Sequence, residues 1–102
     1  MKLLIVTCLK EYQQIVAAIF EEAQINVFSV TNTIGHKEDH TMNLLDNWFA
    51  SGEEKFDSIF LFSFTDNANA VNALELIKKY NENAVSEFPV RAFILPVEQS
   101  SY

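Results

Sequence analysis

The 102-residue chain holds one cysteine, one arginine, two glycines and two prolines, and each scarcity removes a class of protein. A single cysteine excludes a disulfide framework and any paired-cysteine redox or zinc motif. The glycines, Gly35 and Gly52, lie too far apart to build a loop that cradles phosphate with its backbone. No apolar run approaches the ~20 residues of a membrane span. Met1-Lys2-Leu3 leads into an apolar strand rather than a secretion signal, so the expected location is cytoplasmic. Basic residues are also few, seven against fourteen acidic ones, and the resulting net charge of −7 repels a nucleic-acid backbone or an anionic membrane. No nucleophile elbow and no Ser/His/Asp arrangement can be assigned, which argues against an enzyme. What the chain has in abundance is aromatic side chains: nine Phe, three Tyr and one Trp.

The hydropathy pattern predicts six elements. Lys2 to Cys8 is an apolar, β-rich run that reads as a strand buried on both faces. Glu11 to Ala23 repeats Ile15, Val16, Ile19, Phe20 and Ala23 at helical spacing. Asn26 to Ile34 is a β-branched strand ending at Gly35, and His36-Lys37-Glu38-Asp39-His40 suits an exposed loop. Phe56 to Thr65 places Phe56, Phe60, Phe62 and Phe64 on one face and Ile59 and Leu61 on the other. Asp66 caps a second helix carrying Ala70, Val71, Leu74 and Ile77, which fades in Asn81-Glu82-Asn83. Phe88 to Val97 reads as a strand whose prolines favour a sheet edge. Between Thr41 and Ser51, the set Met42, Leu45, Trp48 and Phe49 forms one side of a short helix or lies in a loop.

This β-α-β-β-α-β order predicts a ferredoxin-like α+β fold, one domain over residues 1–102, with two helices on one face of a four-stranded antiparallel sheet. Two helices cover only that face. The first and third strands are apolar on both sides, so the other face exposes a Phe-rich patch larger than a soluble monomer tolerates, and an oligomer is expected. Which parity of the Phe strand faces the helices is left open by the pattern.

Candidate chemistry is sparse. His36, Asp39 and His40 are the one cluster of potential ligands for a divalent transition metal, with Cys8 a conceivable addition; the alternative is a solvated loop with incidental histidines. Cys8, ending a buried strand, reads equally as a small core residue. Arg91 stands inside an apolar strand, where it either forks a ligand phosphate or carboxylate or pairs with Glu87, Glu98 or a neighbouring subunit. Met42, Leu45, Trp48 and Phe49 either pack locally or dock a partner protein.

Two stretches carry a family resemblance. Ile25 to Gly35 (INVFSVTNTIG) resembles the second strand of the PII signal-transduction superfamily, which leads into its long T-loop. Arg91 to Glu98 (RAFILPVE) is similar to that family's fourth strand, which follows its B-loop. The resemblance implies a homotrimer with the sheets facing inward, and a small effector, an adenine nucleotide, bound between subunits. It also implies a T-loop-like excursion over residues 36–55 that contacts a target enzyme or transporter. By position it makes Thr7, Ser29, Gly35, Ser63 and Arg91 the ligand-binding set, with Arg91 in place of the B-loop lysine. Phe88-Pro89-Val90 replaces the B-loop glycines, only four residues follow Glu98 in place of a basic extension, and no tyrosine lies in the loop. Asp39 stands where the family has a glutamine. These departures and the Gly-His pair at the loop entrance look more like small PII-like proteins associated with heavy-metal efflux. In that setting His36, Asp39 and His40 imply a metal-binding sensor or accessory protein as the alternative.

Overall fold

The computed structural model describes residues 1–36, 55–84 and 88–101. Strand β1 (Lys2–Leu9) runs through a 3-10 turn (Lys10–Tyr12) into helix α1 (Gln13–Glu22). Strands β2 (Ser29–His36) and β3 (Lys55–Thr65) follow, then helix α2 (Asn67–Ala84) and strand β4 (Arg91–Pro96). The sheet order is β2-β3-β1-β4, and every pairing is antiparallel. This is the ferredoxin-like α+β arrangement, with β1 and β3 central and the proline-containing β4 at an edge.

The helix ends follow from local chemistry. Asp66 Oδ1 accepts the backbone N–H of Asn69 at 2.8 Å, so the predicted cap of α2 is made. Helix α1 closes differently. Gln24 adopts φ 63°, its N–H reaches Glu21 O, and the N–H of Ile25 donates to Phe20 O at 2.8 Å. That is a Schellman closure with glutamine in the left-handed position glycine usually takes.

The register settles the open question of parity. Leu4 pairs with Ser63, Val6 with Leu61 and Cys8 with Ile59, and all of these residues lie buried beneath the helices. Val16 and Phe20 of α1 and Ala73 and Ile77 of α2 close over them. Phe20 also meets Phe28 edge to face, with ring centroids 5.0 Å apart, and full burial of a side chain this size is worth about 2–3 kcal/mol. The other parity brings Leu3, Ile5 and Thr7 against Phe64, Phe62 and Phe60, and against Leu95, Phe93 and Arg91 on β4. Neither helix covers this face. Phe60, Phe62 and Phe64 run along it as a ladder with centroid spacings of 5.8 and 6.5 Å.

Several boundaries differ from the expectation: α1 begins at Gln13 rather than Glu11, after the 3-10 turn, and β2 begins at Ser29 rather than Asn26. His36 belongs to β2, paired with Lys55, because the pairing of β2 with β3 continues past the end of β1 at Leu9. Strand β4 starts at Arg91 rather than Phe88, since Pro89 has no N–H and Val90 is bonded elsewhere. Helix α2 carries on through Asn81-Glu82-Asn83 to Ala84. The Met42, Leu45, Trp48 and Phe49 set lies outside the described residues.

Candidate functional site

The chemistry gathers where β1 and β3 meet the base of the 36–55 segment. Thr7 lies opposite Arg91 on β4 and opposite Phe60 on β3, and Phe60 in turn lies opposite Thr31 on β2. Together they cross the uncovered face in one row. Thr7 is buried, and Arg91 is half-buried with its Nε shielded from solvent and without a hydrogen-bond partner. A guanidinium cannot shed its proton, so a shielded N–H on it calls for an acceptor from beyond the described residues: water, a ligand or another chain, or Glu87, which lies outside them.

Two open clefts flank this end of the sheet. One of about 530 Å³ is lined by Leu9, Lys10, Glu11, Asp57 and Phe88. The second, of about 520 Å³, is lined by Lys10, Asn32, Thr33, Ile34, Asp57 and Ser58, so Lys10 and Asp57 are common to both. Thr33 and Ser58, partners across the strands, join their hydroxyls at 2.7 Å within the second cleft. Lys10, Asp57 and Phe88 were not singled out as site residues by sequence reasoning. The available signal was Asp57, a carboxylate inside an otherwise apolar strand.

The residues proposed for ligand binding are spread along the sheet and over both of its faces. Thr7 and Arg91 are neighbours, and Gly35, buried opposite Phe56, lies toward the same end of the sheet. Ser29 pairs with Phe62, at the opposite end of β2 from Gly35 and so ~20 Å away at ordinary strand rise. Ser63 lies on the helix-covered side, where its Oγ donates to Val27 O at 2.6 Å and its side chain is buried. One chain thus brings together Thr7 and Arg91, places Ser29 two residues along β2 from Thr31 of their row and Gly35 four residues from it on the other side, and sets Ser63 on the opposite face of the sheet.

The metal candidates are placed only in part. His36 is exposed at the end of β2; Asp39 and His40 lie outside the described residues. Among the described residues no group of three or more His, Cys, Asp or Glu side chains converges. Cys8 is a core thiol whose pKa burial pushes up to about 12, so at neutral pH it is a protonated, poor ligand.

A four-stranded antiparallel sheet covered on one face by two helices is the fold that this chain shares with solved PII-like signalling proteins. The chain superposes on a PII-like signalling protein from Thermus thermophilus with a TM-score of 0.63 and 12% identity, covering 91% of this chain and 82% of that one. It also matches CPII, a nitrogen regulatory PII-like protein from Thiomonas intermedia whose structure holds ADP, AMP and bicarbonate. There the TM-score is 0.62 and the identity 11%, over 97% of this chain and 93% of that one. At this level of identity the shared property is the fold. No protein-family model and no curated protein matches the sequence. Among the described residues no helix is long and apolar enough to cross a membrane.

Proposed function

We propose that this chain is a cytoplasmic, non-catalytic PII-like regulator. It forms a homotrimer through its uncovered sheet face, binds an adenine nucleotide between subunits, and passes occupancy to a target enzyme or transporter through the 36–55 loop. The observation that carries the reading is the shielded, unpartnered Nε of Arg91 beside Thr7, at the end of the sheet from which that loop departs. Arginine in such a place matches a phosphate or carboxylate better than lysine does, because its N–H groups are held in a fixed fork.

The spread of the candidate residues supports a site between copies. Ser29 and Arg91 lie one row apart on the uncovered face but on opposite edge strands, roughly 14 Å apart across the sheet, so in this reading a neighbouring subunit completes the site around each. An apolar face with a Phe ladder supplies the contact that holds such copies together. Ligand that orders the cleft at Gly35 and His36 shifts the population of the loop growing from it. The likeness to CPII, which holds ADP and AMP, directs the choice of ligands.

Calorimetric titration of ADP and AMP into the protein is the test. Binding is expected, and Arg91→Ala should weaken it on the order of tenfold or more, the effect of removing a charge-assisted hydrogen bond. Absence of binding by any adenine nucleotide would sink the nucleotide assignment.

A further inference from the structure

Asn81 makes a contact that neither the fold nor the candidate site requires of it. Its Nδ2 donates to the carbonyl of Val90 at 2.8 Å, and its Oδ1 accepts the N–H of Val90 at 3.0 Å. A side-chain amide carries donor and acceptor at the spacing of a peptide group. Asn81 therefore does for Val90 what a residue on a further antiparallel strand would do. Val90 is buried, so without the clasp both of its backbone groups would be orphaned in the protein interior. The preceding residue, Pro89, has no N–H with which to share the anchoring.

The position of the clasp gives it meaning. Val90 immediately precedes Arg91, the first residue of β4, and Asn81 belongs to the C-terminal part of α2, far along the helix from the Asp66 cap. The backbone of Arg91 is held on one side by pairing with Thr7, and the residue before it is held by this side chain. Asparagine is a weak helix former, which is why Asn81-Glu82-Asn83 reads in the sequence as the fading of α2. The helix nonetheless continues to Ala84 with the Asn81 amide turned to Val90.

We infer that Asn81 is the positioning residue of the effector cleft: by clasping Val90 it holds the Arg91 guanidinium where its Nε is shielded beside Thr7. The inference rests on the reading of Arg91 as a ligand-binding group. It adds that the C-terminal end of α2 is mechanically coupled to that group. A displacement of this helix end alters the aim of Arg91, and ligand on Arg91 in turn stiffens the helix end.

Arg91 is the only arginine, so its Nε–H gives a single arginine side-chain resonance in a nitrogen-correlated NMR spectrum, readable with or without ligand. In Asn81→Leu and in Asn81→Asp, which keeps the acceptor and loses the donor, exchange of that proton with water should rise on the order of tenfold. The amide protons of Val6 and Leu61 should keep their protection, which separates a moved Arg91 from a loosened fold. ADP affinity should fall by a similar factor, and adding Arg91→Ala to Asn81→Leu should cost nothing more than Arg91→Ala alone. Unchanged Nε–H exchange in both variants overturns the inference, as does a loss of ADP affinity that adds fully to that of Arg91→Ala. If the parent protein binds no nucleotide, the reading of the cleft fails, and the exchange rates still decide whether Asn81 holds Arg91.

Discussion

Alternate residues of the sheet face two different environments. Leu4, Val6, Ile59 and Leu61 are wholly covered by the helices, whereas Phe64, Phe93 and Leu95 on the opposite face keep 58%, 39% and 41% of their surface exposed. The composition of the two faces is similarly apolar, but only one is covered by the chain's own helices. On the covered face apolar residues secure the subunit. On the other, Phe60, Phe62 and Phe64 meet one another along the ladder, and in the trimer proposed above this is the face that receives another copy.

The contrast can be broken most strongly from the covered side. Leu61→Ala should cost about 3 kcal/mol of folding free energy, read as a lower urea midpoint, because it empties a site enclosed by both strands and helices. Phe64→Asp on the other face should cost the isolated fold under about 1 kcal/mol yet reduce the mass measured by sedimentation from the three chains of the proposed trimer to one. A trimer that survives this change would place the seam elsewhere.

A third measurement sharpens the contrast through pH. Burial raises the Cys8 thiol from its ordinary 9.0 to about 12, so between these values the unfolded chain loses a proton that the folded chain keeps. Stability accordingly falls as pH rises through that window, and Cys8→Ala should flatten the decline seen in urea titrations at successive pH values. Thr7, the adjacent residue on the other face, has no group that titrates there, so a matching change in Thr7→Ala would contradict this assignment.

Much of the fold is legible in the residues. The helical spacing of Val16 and Phe20, the cap at Asp66 and the apolar run from Leu3 to Cys8 each fix one element by a short-range rule, and the structure has them. The direction of the Phe strand was not legible, because a strand apolar on both sides offers no alternation to read. Only the packing of the helices against Ile59 and Leu61 decides it. The start of β4 was obscured for another reason: Phe88-Pro89-Val90 has strand composition, but the partner of Val90 is the side chain of Asn81 on α2. For the site, Arg91 stood out as a lone arginine in an apolar strand, while Lys10 and Asp57 become neighbours only once β2 and β3 pass the end of β1.

The sheet order carries a consequence for synthesis. Strand β1 is made before its neighbours, yet it pairs on one side with β3 and on the other with β4, the last strand of the sheet. A β-rich apolar segment from Lys2 to Leu9 is therefore without its final neighbour until Pro96 has emerged from the ribosome. Pairings this distant along the chain are slow to form. Until then one edge of β1 is open to association with other chains, the hazard a factor shielding a nascent strand would relieve.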